Sequence, residues 1–154
     1  MTWHLIDGHG DHEALSLYNA PFTTERTKQM TTFDTAVQSY LAIWNEGDDD
    51  ARTRMAQELF TADAAYVDPV VAAVGAENIA QTVAAVRGQF PGWMFRQLGE
   101  TDAHNTYARF RWALGPDATS APEDAPIIGF DVASFTEDGR IEHVTGFLDR
   151  VPIG

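Results

Sequence analysis

The hydrophobic period of this chain changes from mainly helical to β-like at Pro91 and Gly92, and that change restricts its fold more than any other feature. Ahead of the break apolar residues recur at helical spacing; behind it they fall into short β-like runs bounded by turn residues. Phe33, Val37, Tyr40 and Trp44 lie four, three and four apart, so a helix opening near Thr31 turns them onto one stripe. Tyr40 therefore faces inward. After Gly47, the residues Ala51, Met55, Leu59 and Phe60 mark a second helix, and Asp48, Asp49 and Asp50 suit the positive end of its dipole. Ala65 to Asp68 reads as a short strand stopped by Pro69. A third helix follows Gly75, with Ile79, Val83, Val86 and Phe90 on its buried side.

Beyond the break, strands are expected over Trp93 to Glu100, His104 to Leu114, Ile127 to Phe135 and Ile141 to Asp149. Turn residues crowd Asp117 to Pro126, and Glu137, Asp138 and Gly139 predict a hairpin. Helices gathered ahead of an antiparallel sheet define an α+β fold, with the curved inner face of the sheet closed over three helices. Residues 1–30 mix Gly, His, Asp and Thr without a sustained period and read as an N-terminal extension. Residues 31–154 read as the domain, since 154 residues suffice for one core and not for two.

Charge removes several function classes. Ten Lys plus Arg against 23 Asp plus Glu leave a net charge of −13, which repels phosphate backbones and anionic lipid. No nucleic-acid or membrane partner is expected, and no apolar run is long enough to span a bilayer. The absence of cysteine removes disulfides, zinc–thiolate sites and thiol nucleophiles. The N-terminus lacks the basic, apolar and small-residue order of a signal peptide, so a cytoplasmic location is expected.

The order of these elements, with "VQSYLAIWNEGDDDARTRMAQELFTADAAYVDPV", then "GAENIA" and "FDVASFTEDGRIEHVTGFLD", resembles the nuclear transport factor two-like superfamily over about Thr32 to Asp149. That superfamily, whose fold is also called cystatin-like, includes SnoaL-like proteins and ketosteroid isomerases. The resemblance implies a cone of helices and curved sheet around an apolar pocket, and a homodimer. One cone serves isomerases, epoxide hydrolases, polyketide cyclases and proteins that only bind, so the shape alone names no reaction. The ketosteroid isomerase pattern carries over residue by residue. Tyr40, on the first helix in "VQSY", stands where that pattern has an oxyanion donor. Asp68 precedes Pro69 as the general base does, and Asp131, eight residues before Gly139, matches the second donor.

The chemistry suits those residue types. Moving a double bond next to a ketone needs one carboxylate to take and return a proton, and donors to hold the oxyanion. No cofactor is needed. Burial raises a carboxyl pKa, and taken far enough it keeps an Asp protonated as a donor, as ketosteroid isomerase does. Asp131 lies among Ile127, Ile128, Phe130, Val132 and Phe135, an environment of that kind.

Plainer readings stand beside these. Asp68 can simply close a turn. Tyr40 can be a core residue with a satisfied hydroxyl. Asp131 can pair with Arg109 or Arg111 on the neighbouring strand. Cyclases and epoxide hydrolases that the chain resembles place an acid on the last strand near Gly146, where this sequence has none, and only His104 and His143 are available for a histidine site in the domain. "DGHGDH" (Asp7 to His12) partly resembles a metallo-hydrolase run, but a Gly-rich terminus lacks the supporting shell of a specific metal site, and none is expected. Trp44, Phe60, Phe90, Trp93, Phe95, Trp112 and Phe147 are candidates to line a pocket for a flat, small apolar ligand. Core packing or a dimer interface would use the same rings.

Overall fold

The computed structural model describes residues 24–152. The motif Asp7 to His12 lies outside the described residues, as does most of the N-terminal extension. Helix α1 (Thr24–Asn45) begins ahead of Thr31, where the apolar period starts, and it buries Phe33, Val37, Tyr40 and Trp44 as that period requires. Helix α2 (Asp49–Leu59) is capped by Asp48, whose carboxylate accepts from the Ala51 N–H at 2.8 Å. Asp48→Ala should lower stability by about 1 kcal/mol in urea unfolding, the usual worth of such a cap; an unchanged midpoint would show that the cap is redundant. Helix α3 (Ala76–Gln89) follows Gly75, whose φ of 90° few other residues tolerate.

Six strands form one sheet in the order β2-β1-β6-β5-β4-β3. They are β1 (Phe60–Val67), β2 (Ala72–Val74), β3 (Met94–His104), β4 (Tyr107–Gly115), β5 (Ile127–Phe135) and β6 (Ile141–Arg150). All pairings are antiparallel except β1 with β6, which is parallel. The sheet is therefore mixed, because β1 reaches the last strand by a crossover and not a hairpin. Register shifts in β1–β6, β3–β4 and β5–β6 mark irregularities of the kind that bend a sheet, here around the helices.

Three sequence boundaries move. Phe60 opens β1 instead of ending α2: it is buried against Tyr40, and the helix ends at Leu59. Strand β3 runs on to His104, where Asn105 at φ 52° and Thr106 make a tight turn into β4. Gly99, at φ 78°, sits beside an irregularity within β3. Phe90 caps α3 at its C-terminus. The hairpin at Gly139 is as expected, closed by Thr136 N–H to the Arg140 carbonyl at 2.8 Å.

Period-2 alternation aims one face of each strand at the helices. Ala108, Phe110, Trp112 and Leu114 of β4 stand opposite Ala133, Asp131, Gly129 and Ile127 of β5, and Asp131 is opposite Gly146 of β6. Val67 faces Thr145, so the next position sets Asp68 beside Gly146. Asn45 clamps the end of α1 to this face, donating to the Phe95 carbonyl and accepting its N–H, both at 2.8 Å. No described helix is long and apolar enough to cross a membrane.

Candidate functional site

The row Asp68, Gly146, Asp131, Phe110 crosses four strands beneath α1. A Cβ on Gly146 would lie 2.8 Å from the Asp131 carboxylate and 3.4 Å from the Asp68 Cβ, so the missing side chain is what lets the two acids approach. Gly146 carries no acid, and the space in front of its Cα is taken by the Asp131 carboxylate.

Asp131 is 2% exposed and accepts a hydrogen bond from the Tyr40 hydroxyl at 2.8 Å. The Trp112 indole N–H also favours its charged form. The pairing with Arg109 or Arg111 does not occur. Arg109 binds Asp102 at 3.0 Å and Arg111 binds Asp149 at 3.4 Å, all four on the solvent side of the sheet because odd positions of β4 point outward. Loss of hydration pushes the Asp131 carboxyl up to about 6, against the pull of Trp112 and Tyr40 and with the help of Asp68. Burial likewise pushes the Tyr40 phenol well above its ordinary value, with the Asp131 charge adding to it.

A titration follows from that burial. The folded chain holds the Asp131 proton to higher pH than the unfolded chain, so this contribution to stability is complete below the ordinary value of 3.8 and lost as pH rises through about 6. Asp131→Asn keeps an acceptor for Tyr40 and cannot ionise. Relative to this variant, the wild type should lose on the order of 3 kcal/mol between about pH 4 and pH 7, read by urea unfolding at each pH. A constant difference across that range would contradict the buried, weakly acidic Asp131.

Asp68 is arranged differently. Oδ1 accepts the Val70 and Val71 N–H groups at 2.8 and 2.9 Å, which is the turn-forming role. Oδ2 accepts the Tyr66 hydroxyl at 2.7 Å. The two oxygens thus have different partners, Oδ1 the backbone of the turn and Oδ2 the Tyr66 hydroxyl. Tyr66, two positions earlier on the same strand face, was missed from sequence, although alternation alone places it beside Asp68. Burial, then the charge of Asp131, pushes its phenol far up, so it remains a neutral donor.

Asp68 and Tyr66 line a cavity of about 870 Å³, within the range for small-molecule sites. Of the aromatic candidates, Trp44, Phe90, Phe95 and Trp112 line it. Phe60 is buried in the core beside Tyr40, Trp93 stacks behind Phe90 at 4.9 Å, and Phe147 lies against Phe130 on the outer face, 52% exposed. Tyr40 and Asp131 do not line the cavity; they meet behind its wall. His104 and His143 are exposed, away from it. Among the described residues no group of acids and histidines could hold a metal ion.

The chain belongs to the SnoaL-like domain family, whose model matches residues 37–144. It is similar to a candidate isomerase of the SnoaL-like family from Agrobacterium tumefaciens, at 38% identity and TM-score 0.70 over 78% of this chain and 99% of that one. A candidate polyketide cyclase from Sinorhizobium meliloti shares the fold at 19% identity and TM-score 0.56, over 75% of this chain and 97% of that one. A protein of ketosteroid isomerase-like fold from Catenulispora acidiphila does so at 18% identity and TM-score 0.57, over 72% and 82%. No curated relative matches the chain.

Proposed function

We propose that this SnoaL-like chain binds a flat apolar carbonyl compound in the cavity and shifts a proton on it, as an isomerase of the ketosteroid isomerase type. The observation that carries the reading is the Asp68–Tyr66 pair on the wall of a largely apolar cavity. When the substrate carbonyl takes the Tyr66 O–H, Oδ2 of Asp68 loses its donor and becomes the base. It removes a proton from the α-carbon, the C–H electron pair moves into a dienolate, and the charge on oxygen rests against the Tyr66 hydroxyl. The protonated Asp68 then returns the proton at the γ-carbon, so the double bond moves into conjugation and nothing else is consumed. Tyr40 and Asp131 support this from behind the wall. An ionised Asp131 makes Tyr66 a poorer donor, so its high pKa keeps that penalty small in mildly acidic solution.

A second reading, ligand binding without chemistry, is favoured by the pairing of Tyr40 with Asp131, which leaves both predicted oxyanion donors turned on each other. One experiment separates the two. A β,γ-unsaturated ketosteroid is incubated with wild type and with Asp68→Asn, conjugated enone is followed by ultraviolet absorbance, and binding is measured separately by calorimetry. Faster isomerisation by wild type supports the isomerase reading. Equal rates with binding intact transfer the assignment to a binding protein, and loss of binding removes this substrate class from both.

A further inference from the structure

The cavity has a charge asymmetry that isomerisation does not require. Asp68 is the sole charged residue among its described lining, and Asp131 stands as a second acid behind the wall. No arginine is among the described lining, and the guanidinium groups of the surrounding elements are anchored outside it. Arg87 donates to the Trp44 carbonyl at 2.9 Å, Arg96 to carbonyls of Ala118 and Ser120, Arg140 to Phe60 and Arg150 to Ala125. Arg109 and Arg111 are held in their outer ion pairs. Aromatic rings run continuously along the wall from Tyr66 to Trp44, Phe95 and Trp112, with centroids 5.9, 5.0 and 5.3 Å apart. Ring faces carry partial negative charge, and a carboxylate beside them adds a full one. In a cavity of a chain with net charge −13, the resulting potential attracts cations and repels anions.

We propose that the cavity selects an organic cation, an apolar skeleton bearing one ammonium group held between Asp68 and the ring faces, and rejects carboxylates and phosphate esters of similar shape. This rests on the reading of the cavity as the ligand site and not on the proton transfer assigned to Asp68. Adamantane-1-ammonium, 1-adamantanol and adamantane-1-carboxylate share one skeleton and differ in charge. Calorimetry at low salt should show the ammonium binding at least about tenfold more tightly than the alcohol, with the carboxylate weakest. Asp68→Asn, whose amide oxygen still accepts the Val70 and Val71 N–H groups, should bring ammonium and alcohol within about threefold of each other. In the wild type, added salt should weaken the ammonium and leave the alcohol unchanged. Equal affinities, a preference that survives Asp68→Asn, or no binding by any of the three would overturn the proposal. Failure of the ketosteroid assay alone leaves the charge order intact, and turnover without a charge order sinks only this inference.

Discussion

Gly129→Ala is expected to destabilise the fold by about 3 kcal/mol, the upper end of what overpacking a core costs. The added Cβ would lie 1.9 Å from the Trp112 ring, well inside contact distance, and both residues sit on paired strands that cannot separate. Overpacking of that kind costs about 1 to 3 kcal/mol. Urea unfolding reads the loss directly, and an emission shift from a displaced tryptophan should accompany it. Gly129→Ala with an unchanged midpoint would mean that Trp112 does not lie across β5. The same reasoning predicts a smaller penalty for Gly146→Ala, where a Cβ would press on the Asp131 carboxylate at 2.8 Å.

Asp68→Asn should lower turnover of an enolisable ketone by about 10² to 10⁴-fold, the usual worth of a positioned base. Stability should change little, because the amide oxygen can still accept the Val70 and Val71 N–H groups. Tyr66→Phe should reduce turnover less, by about 10²-fold, since it removes one oxyanion donor and leaves the base in place. If both variants retain full activity, the reaction does not pass through this pair. If Tyr40→Phe proves more damaging to turnover than Tyr66→Phe, the predicted donor from the first helix is the one that meets substrate, and the wall must open to admit it.

Much of the fold was legible because its elements announce themselves locally. The stripe from Phe33 to Trp44 needs no partner to be read as a helix face, and Gly139 needs only its neighbours to make a hairpin. Asp131 was legible as an anomaly, an acid on an apolar strand. Its partner was not, because Arg109 and Arg111 are adjacent in strand order but on the opposite face. The irregularity at Gly99 was not legible for a related reason: a glycine with positive φ serves an irregular strand as well as a turn, and only pairing with β4 distinguishes them. Tyr66 was not legible as a partner because Asp68 next to Pro69 accounts for itself locally as a turn, and only the folded strand shows the Tyr66 hydroxyl on Oδ2.

By itself, the sequence determined the α+β order, the inward stripe of α1, the acidic surface and the apolar setting of Asp131, since these depend on period, composition and near neighbours. Only the tertiary structure decided who meets whom. The parallel seating of β1 on β6 brings Asp68 to Gly146, and the bare backbone there admits Asp131. Tyr40 is thereby matched with Asp131 and Tyr66 with Asp68, on opposite sides of a cavity wall. Such pairings join residues up to 91 positions apart, and no local preference encodes them; they follow from sheet order and from the space that two glycines leave empty.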